Sequence, residues 1–223
     1  MNPTKAVLAL GTAALALTPI AVAEAQKPPK PPKAPKGNLT LSATPNPVKY
    51  GSAVTFSGKL TGARSDGQKV ALRSDPFAFD AFKNVADATT NATGDYSLTQ
   101  QPLSNTRYQA TQGGNTSGIV TVLVRPRVSL RLSDYTPERG QRVRFSGRVC
   151  PQHDDSTLLV QRRFRTGYRT VRTTRLRDIP GSTCSSYRRT FRVYRDGRYR
   201  AAIAKHGDHF TGVSGSRVAN AHR

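Results

Sequence analysis

Residues 51–60 read GSAVTFSGKL, and residues 140–149 read GQRVRFSGRV. The second stretch begins 89 residues after the first and keeps its Gly, Val, Phe, Ser and Gly in the same places. In the second stretch Val143, Phe145 and Val149 alternate with Arg142, Arg144 and Arg148. Alternation with a period of two marks a strand that buries one face. The repeat extends further. Tyr96 and Tyr108-Gln109-Ala110 recur as Tyr187 and Tyr199-Arg200-Ala201, and in both copies the tyrosines are 12 residues apart. Two units of about 90 residues each match the size of one β-sandwich domain. Residues 39–126 form the first unit and 127–223 the second, meeting at Arg125-Pro126-Arg127, where proline interrupts any continuous strand.

The alternation runs through the second unit. Leu130 and Leu132 flank Arg131, and Leu158 and Val160 begin a third strand. Arg169 to Arg177 is expected as a fourth, after a turn at Thr166-Gly167. Tyr187, Phe191 and Val193 alternate with Arg188, Thr190 and Arg192; Tyr199, Ala201 and Ile203 alternate with Arg198 and Arg200; Thr211 to Asn220 closes the set. The pattern predicts about seven strands, the complement of a single sandwich, and no helix outside the N-terminal leader.

Four segments of this unit, Phe145-Ser146-Gly147, Gln161-Arg162-Arg163, Gly167-Tyr168-Arg169-Thr170-Val171 and Gly197-Arg198-Tyr199-Arg200-Ala201, resemble secreted bacterial immunoglobulin-like repeat modules. In that family an aromatic residue, often Trp, precedes the Arg-Thr-Val step; here it is Tyr168. The resemblance covers most of the second unit and the start of the first. It implies an all-β fold of two tandem Ig-like antiparallel β-sandwiches, displayed outside the cytoplasm. It implies no activity, because such modules are appended to many different proteins. Within that frame Tyr108-x-Ala110 and Tyr199-x-Ala201 echo the tyrosine corner, with Ala where antibody domains have Cys, and neither unit has the core Trp.

The two cysteines, Cys150 and Cys184, both fall in the second unit, and an even count in an exported chain points to one disulfide. In the Ig-like frame Cys150 follows the second strand and Cys184 precedes the fifth. Those strands are antiparallel neighbours, so the end of one lies beside the start of the other. A bridge there closes a loop of about 35 residues and contributes roughly 2–4 kcal/mol.

Residues 1–25 read as a signal peptide: a basic start at Lys5, an apolar run from Ala6 to Leu17, and the small-residue exit Ala23-Glu24-Ala25. An uncleaved anchor is the rival, but Gly11, Thr12, Thr18 and Pro19 dilute a stretch that would need about 20 apolar residues to span a bilayer. No second apolar run follows. The expectation is a secreted, extracytoplasmic chain with no transmembrane segment once the leader is removed. Residues 26–38, QKPPKPPKAPKGN, are expected as an extended Pro/Lys-rich linker, since dense proline blocks helix and sheet and lysines repel one another.

The formal net charge is +22, unevenly placed. Residues 39–126 hold 8 Lys+Arg against 5 acids, whereas 127–223 hold 22 against 7, and 21 of those 22 are Arg. A balance of this kind attracts polyanions and says little about fold. By alternation, Arg131, Arg142, Arg144, Arg148, Arg188 and Arg192 point outward from one sheet. Guanidinium forks match phosphate and carboxylate bidentately, so the expected partner is an anionic cell-wall polymer or another polyanion. Nucleic acid fits less well, because the outward positions lack interleaved aromatics for base stacking. Phe164 and Tyr168, among Arg162, Arg163, Arg165 and Arg169, read as packing residues or a hairpin tip.

A second cluster combines His153-Asp154-Asp155 with His206-Gly207-Asp208-His209, two loops that share one end of an Ig-like sandwich. Imidazole and carboxylate are competent metal ligands, which makes His153, Asp155, His206, Asp208 and His209 the candidate metal residues. Their spacing matches no established metal motif, so no metal and no cofactor is expected. No nucleophile elbow, HExxH or phosphate loop occurs, and no enzyme activity is expected. The leading reading is a non-catalytic exported binding or adhesion protein whose second unit contacts an anionic polymer or surface. The alternatives are a structural spacer or accessory subunit with no polyanion ligand, and a metal-dependent module built on the His/Asp loops.

Overall fold

Alternating burial along the central strands, such as Val54–Thr61 and Arg142–Cys150, builds the architecture. The computed structural model describes residues 37–62 and 64–222 of the 223-residue chain. The expected signal peptide and residues 26–36 of the expected linker lie outside the described residues. Asn38, read as the linker's last residue, is already in a strand and pairs with Thr61. Every regular element among the described residues is a β-strand.

In the first repeat Asn38–Leu39 and Ser42–Thr44 both pair with Val54–Thr61, which also pairs with Asp95–Gln100. A second sheet joins Lys69–Pro76 to Lys83–Thr89 and to Thr106–Gln112, with Asn115–Thr116 and Val120–Val122 pairing on Thr106–Gln112. The second repeat has the same scheme. Arg127–Val128 and Arg131–Leu132 pair with Arg142–Cys150, which also pairs with Ser185–Arg192. The other sheet runs Gly167–Arg175, Thr157–Phe164 and Gly197–Ile203, the last carrying Gly212–Val213 and Arg217–Ala219. All these ladders are antiparallel; Val48–Lys49 and Val124–Arg125 form the one parallel pair among the named strands.

The inward faces of each pair of sheets close on one hydrophobic cluster. Val54, Phe56, Leu72, Tyr108 and Val122 are among the residues of the first; Val143, Phe145, Val160, Tyr199 and Ile203 are among those of the second. The fourth strand of the second repeat differs from expectation. It spans Gly167–Arg175, and Leu176 then turns into the cluster, 1% exposed, leaving Arg177 to bridge to Ser186.

The expected last strand of the second repeat is split in two, and a short strand, Arg127–Val128, precedes the expected first; side-chain hydroxyls explain the breaks. Between Arg127–Val128 and Arg131–Leu132, the Ser129 hydroxyl accepts the Arg148 amide at 2.9 Å. Thr40 does the same for Lys59 at the matching place in the first repeat. At the other end the Ser214 hydroxyl accepts the Ala201 amide, and Ser117 accepts that of Ala110. Each hydroxyl satisfies a strand amide that a neighbouring carbonyl would otherwise take, so the backbone can leave the ladder without orphaning a donor.

The same place explains the Phe-Ser-Gly repeat. Gly58 pairs with Tyr96 and Gly147 with Tyr187 across the ladder. Each phenol crosses its glycine and donates to a backbone carbonyl at the strand break: Tyr96 to Thr40, and Tyr187 to Ser129 at 2.6 Å. A Cβ on Gly147 would lie 2.1 Å from the Ser129 oxygen and 2.8 Å from the Tyr187 ring. The tyrosines whose hydroxyls reach backbone are therefore Tyr96 and Tyr187. Tyr108 and Tyr199, which echo the tyrosine corner in sequence, instead pack their rings on Phe56 and Phe145.

Cys150 and Cys184 are bridged, with Cα atoms 4.3 Å apart. The ladder pairs Val149 with Ser185, and one further step in that register sets the two cysteines directly opposite each other. Such a short separation is that of a non-hydrogen-bonded antiparallel pair. Cys150 is the last residue of its strand rather than the first after it.

Two outcomes are expected. Gly147→Ala should lower stability by about 1–3 kcal/mol in denaturant titration, the range for forcing atoms into a packed site. Gly118→Ala, where an added Cβ meets nothing within 4 Å, should change it little. Burial pushes the Tyr96 phenol up to about 12 and raises that of Tyr187 as well. Because the neutral phenols are favoured in the fold, their contribution is complete below about pH 10 and is lost as pH rises through the folded values. Absorbance of tyrosinate and the melting temperature, followed together from pH 9 to 12.5, should show late ionisation coincident with unfolding. Tyr187→Phe should shrink that alkaline loss.

Candidate functional site

Two features stand out in the second repeat. The first is the outer face of the sheet formed around Arg142–Cys150. All six arginines predicted to face outward from it are exposed: Arg131, Arg142, Arg144, Arg148, Arg188 and Arg192. The register separates most of them. Ser146 stands between Arg131 and Arg188, Ser186 opposite Arg148, and Thr190 opposite Arg144. Arg142 and Arg192 alone are directly opposed, and Arg192 turns its guanidinium to the Gly140 carbonyl at 2.9 Å. Like charges face to face destabilise a sheet, and this spacing keeps that cost to one pair.

The six do not form a single site. Arg131, Arg148 and Arg188 line a depression of about 700 Å³, and Arg177 joins them from the neighbouring segment. Ser146 and Ser186 lie between them on the same face. Arg142, Arg144 and Arg192 lie along the same face outside it. The sequence reading missed Arg177 because it ended the fourth strand there, whereas the strand stops at Arg175 and Arg177 bridges to Ser186. No carboxylate is among the described residues lining the depression. The ion pairs among the described residues, Lys59–Asp95, Lys69–Asp87 and His209–Asp208, contain no arginine.

Aromatics meet arginines elsewhere. Phe164 and Gly167 pair at the end of a hairpin. The Arg162 and Arg169 guanidiniums lie 5.4 and 5.8 Å from the Phe164 ring centre, and Arg200 sits 4.0 Å over Tyr168.

The second feature lies where the second repeat meets the first. His206 donates its amide to the His209 carbonyl, closing a tight turn. That turn packs on Asn105 and Phe77. A Cβ on Gly207 would come within 2.5 Å of the Phe77 ring, so a larger residue there would push the exposed Phe77 ring aside. His153 arrives from the loop after Cys150, its amide held by the Ser185 hydroxyl at 2.7 Å. The His153 ring centre is 4.9 Å from that of His209 and 5.8 Å from that of His206.

Three of the five candidate metal residues, His153, Asp208 and His209, each bring a ligand atom within 4.8 Å of the others, with His206 alongside. Asp155 does not join them; it is exposed, in a left-handed backbone conformation with φ 61°. Asp154 accepts the Ser185 hydroxyl instead. His153 Nδ1 is 2.8 Å from the Pro151 carbonyl, and His209 Nε2 is 2.8 Å from the Leu103 carbonyl. His209 Nδ1 is 2.8 Å from Asp208 Oδ2. Burial pushes the His153 ring below its ordinary value. Burial alone would raise the Asp208 carboxyl, but the His209 hydrogen bond, with the charges of His209 and His153, outweighs it and holds the carboxyl low.

No known protein family and no curated protein matches the chain. Among solved structures it is similar to one titled "Crystal structure of tetra-tandem repeat in extending region of large adhesion protein", at 15% identity and a TM-score of 0.32. The match covers 83% of this chain and 49% of that one, so the chain spans about half the length of that structure. Likeness this distant carries no argument about fold or function.

Proposed function

We infer that this is a non-catalytic, extracytoplasmic binding protein that holds an anionic polymer in the arginine-walled depression of its second repeat. The reading takes residues 39–126 and 127–223 as two Ig-like β-sandwich domains, with the second as the binding unit and the first as its support. The observation that carries it is the set Arg131, Arg148, Arg177 and Arg188 around one depression of about 700 Å³, with serines between them and no carboxylate among the described lining residues. The register holds these guanidiniums apart, so an anion seated among them meets several positive charges at once and uses their planar donor geometry. The partner is a phosphate- or carboxylate-bearing chain such as an anionic cell-wall polymer. Small hydroxyl-bearing residues between the arginines leave room for a polymer backbone and can donate to its oxygens.

Binding to heparin and to polyphosphate at low salt is the test. The logarithm of affinity should fall linearly with the logarithm of salt concentration. Replacing Arg131, Arg148, Arg177 and Arg188 by Gln should weaken binding at least tenfold and flatten the salt slope by up to about 4. Replacing the hairpin arginines Arg163, Arg165 and Arg169 should do much less. Equal losses from both sets would mean diffuse charge rather than a site, and no retention on either polymer would refute the reading.

A further inference from the structure

We propose that His153, Asp208 and His209 form a binding site for a divalent transition metal of the zinc type, set where the two repeats meet. Metal-bound histidines use one ring nitrogen for the ion and donate from the other, commonly to a backbone carbonyl, which fixes ring and tautomer. Both histidines here already have that second bond. His153 Nδ1 faces the Pro151 carbonyl, which leaves Nε2 as the lone-pair atom. His209 Nε2 faces the Leu103 carbonyl, which leaves Nδ1; a proton on Nδ1 bridges to the Asp208 carboxylate at 2.8 Å, and a bound ion displaces that proton to solvent and takes its place.

The His153 Nε2 atom is the second, independent observation. It is buried and has no hydrogen-bond partner, in a residue only 7% exposed. A buried lone pair with no donor is a cost the fold carries unless something meets it. A cation between His153, Asp208 and His209 meets it and also offsets the Asp208 charge.

The donor chemistry narrows the ion. Two imidazoles and one carboxylate suit zinc and its first-row neighbours. Both cysteines are consumed in the disulfide, so no thiolate is available to select a softer ion. Ligands about 2.0–2.1 Å from a tetrahedral ion stand about 3.4 Å apart, so the longer separations of a set spanning up to 4.8 Å must close while the His209–Asp208 pair, at 2.8 Å, opens slightly. Asp208, whose side chain is 42% exposed, has room for that small shift, and exposed His206 or a water completes four-coordination.

The ion would also act on the junction. His209 holds Leu103, and the backbone of Gly207 and Asp208 holds Asn105, so fixing the turn fixes its grip on the first repeat.

The test uses the full chain after chelator treatment. Calorimetry with zinc chloride should show saturation at one ion per chain, and the melting temperature should rise with zinc concentration. His153→Gln and Asp208→Asn should each weaken binding at least about tenfold, and His222→Gln should not. Lowering the pH from 7.5 to 5.5 should weaken binding, since imidazole ligands must be unprotonated. Cobalt absorption on the unaltered protein, which needs no substitution, should show the visible bands of four-coordinate nitrogen and oxygen ligation. Amide exchange at Asn105 and Phe210 should slow on zinc addition. An absence of saturable zinc binding, a cobalt spectrum identical to the aqueous ion, or undiminished binding in the His153→Gln, Asp208→Asn double variant overturns the site.

Discussion

The side chain of Asn105 and its own peptide groups fasten the two repeats together. Its Nδ2 donates to the Gly207 carbonyl and its backbone amide to the Asp208 carbonyl. Its Oδ1 accepts the Val124 amide and its carbonyl accepts the Phe77 amide. The residue is 7% exposed, so each of these groups would be an orphan without its partner. Two of the four bonds stay within the first repeat and two cross to the second. The junction therefore comes as a set: the turn at 206–209, the segment at 103–105 and the strand at Val124–Arg125 hold one another. Phe210 completes it, donating its amide to the Val124 carbonyl while Arg125 lies 5.1 Å from its ring centre. Both the buried histidines and the approach of Gly207 to Phe77 depend on this clamp.

Much of the strand framework was legible because alternation is a local signal. Val143, Phe145 and Val149 declared an inward face, and that face is fully buried. The cysteine pair was legible from count and strand order. The breaks in the outer strands were not, because they depend on single hydroxyls. Ser129 looks like any polar residue in a strand until the Arg148 amide is found bonded to it. The tyrosines misled for a related reason. Tyr199 carries the familiar local pattern, but the hydroxyl that reaches backbone belongs to Tyr187, whose partner Ser129 lies 58 residues away.

The two candidate sites divide along the same line. Outward pointing of the six arginines follows from parity, and the register agrees. Which of them gather around one depression depends on where the Gly167–Arg175 strand stops, and Leu176 decides that by turning into the core. The histidine cluster was half legible. The loops after Arg142–Cys150 and after Gly197–Ile203 bring His153, His206 and His209 together, but the atoms that orient the rings are the carbonyls of Pro151 and Leu103. Backbone acceptors have no sequence signature, and Leu103 is 106 residues from His209. Asp155 shows the opposite failure: it is two residues from His153 in sequence, yet it is exposed, with a left-handed backbone, and stands outside the cluster.

The position of the Cys150–Cys184 bridge has a mechanical consequence. It joins the facing ends of two long strands, and 34 positions of chain separate its cysteines. If the ends of the protein were drawn apart, tension would pass through the sulfur atoms and bypass everything between them. A fully extended stretch of that length reaches roughly 110–120 Å, at about 3.3–3.6 Å per residue. The oxidised chain is shorter in contour by nearly that amount, and the hairpin that carries Phe164 and Tyr168 lies inside the shielded loop.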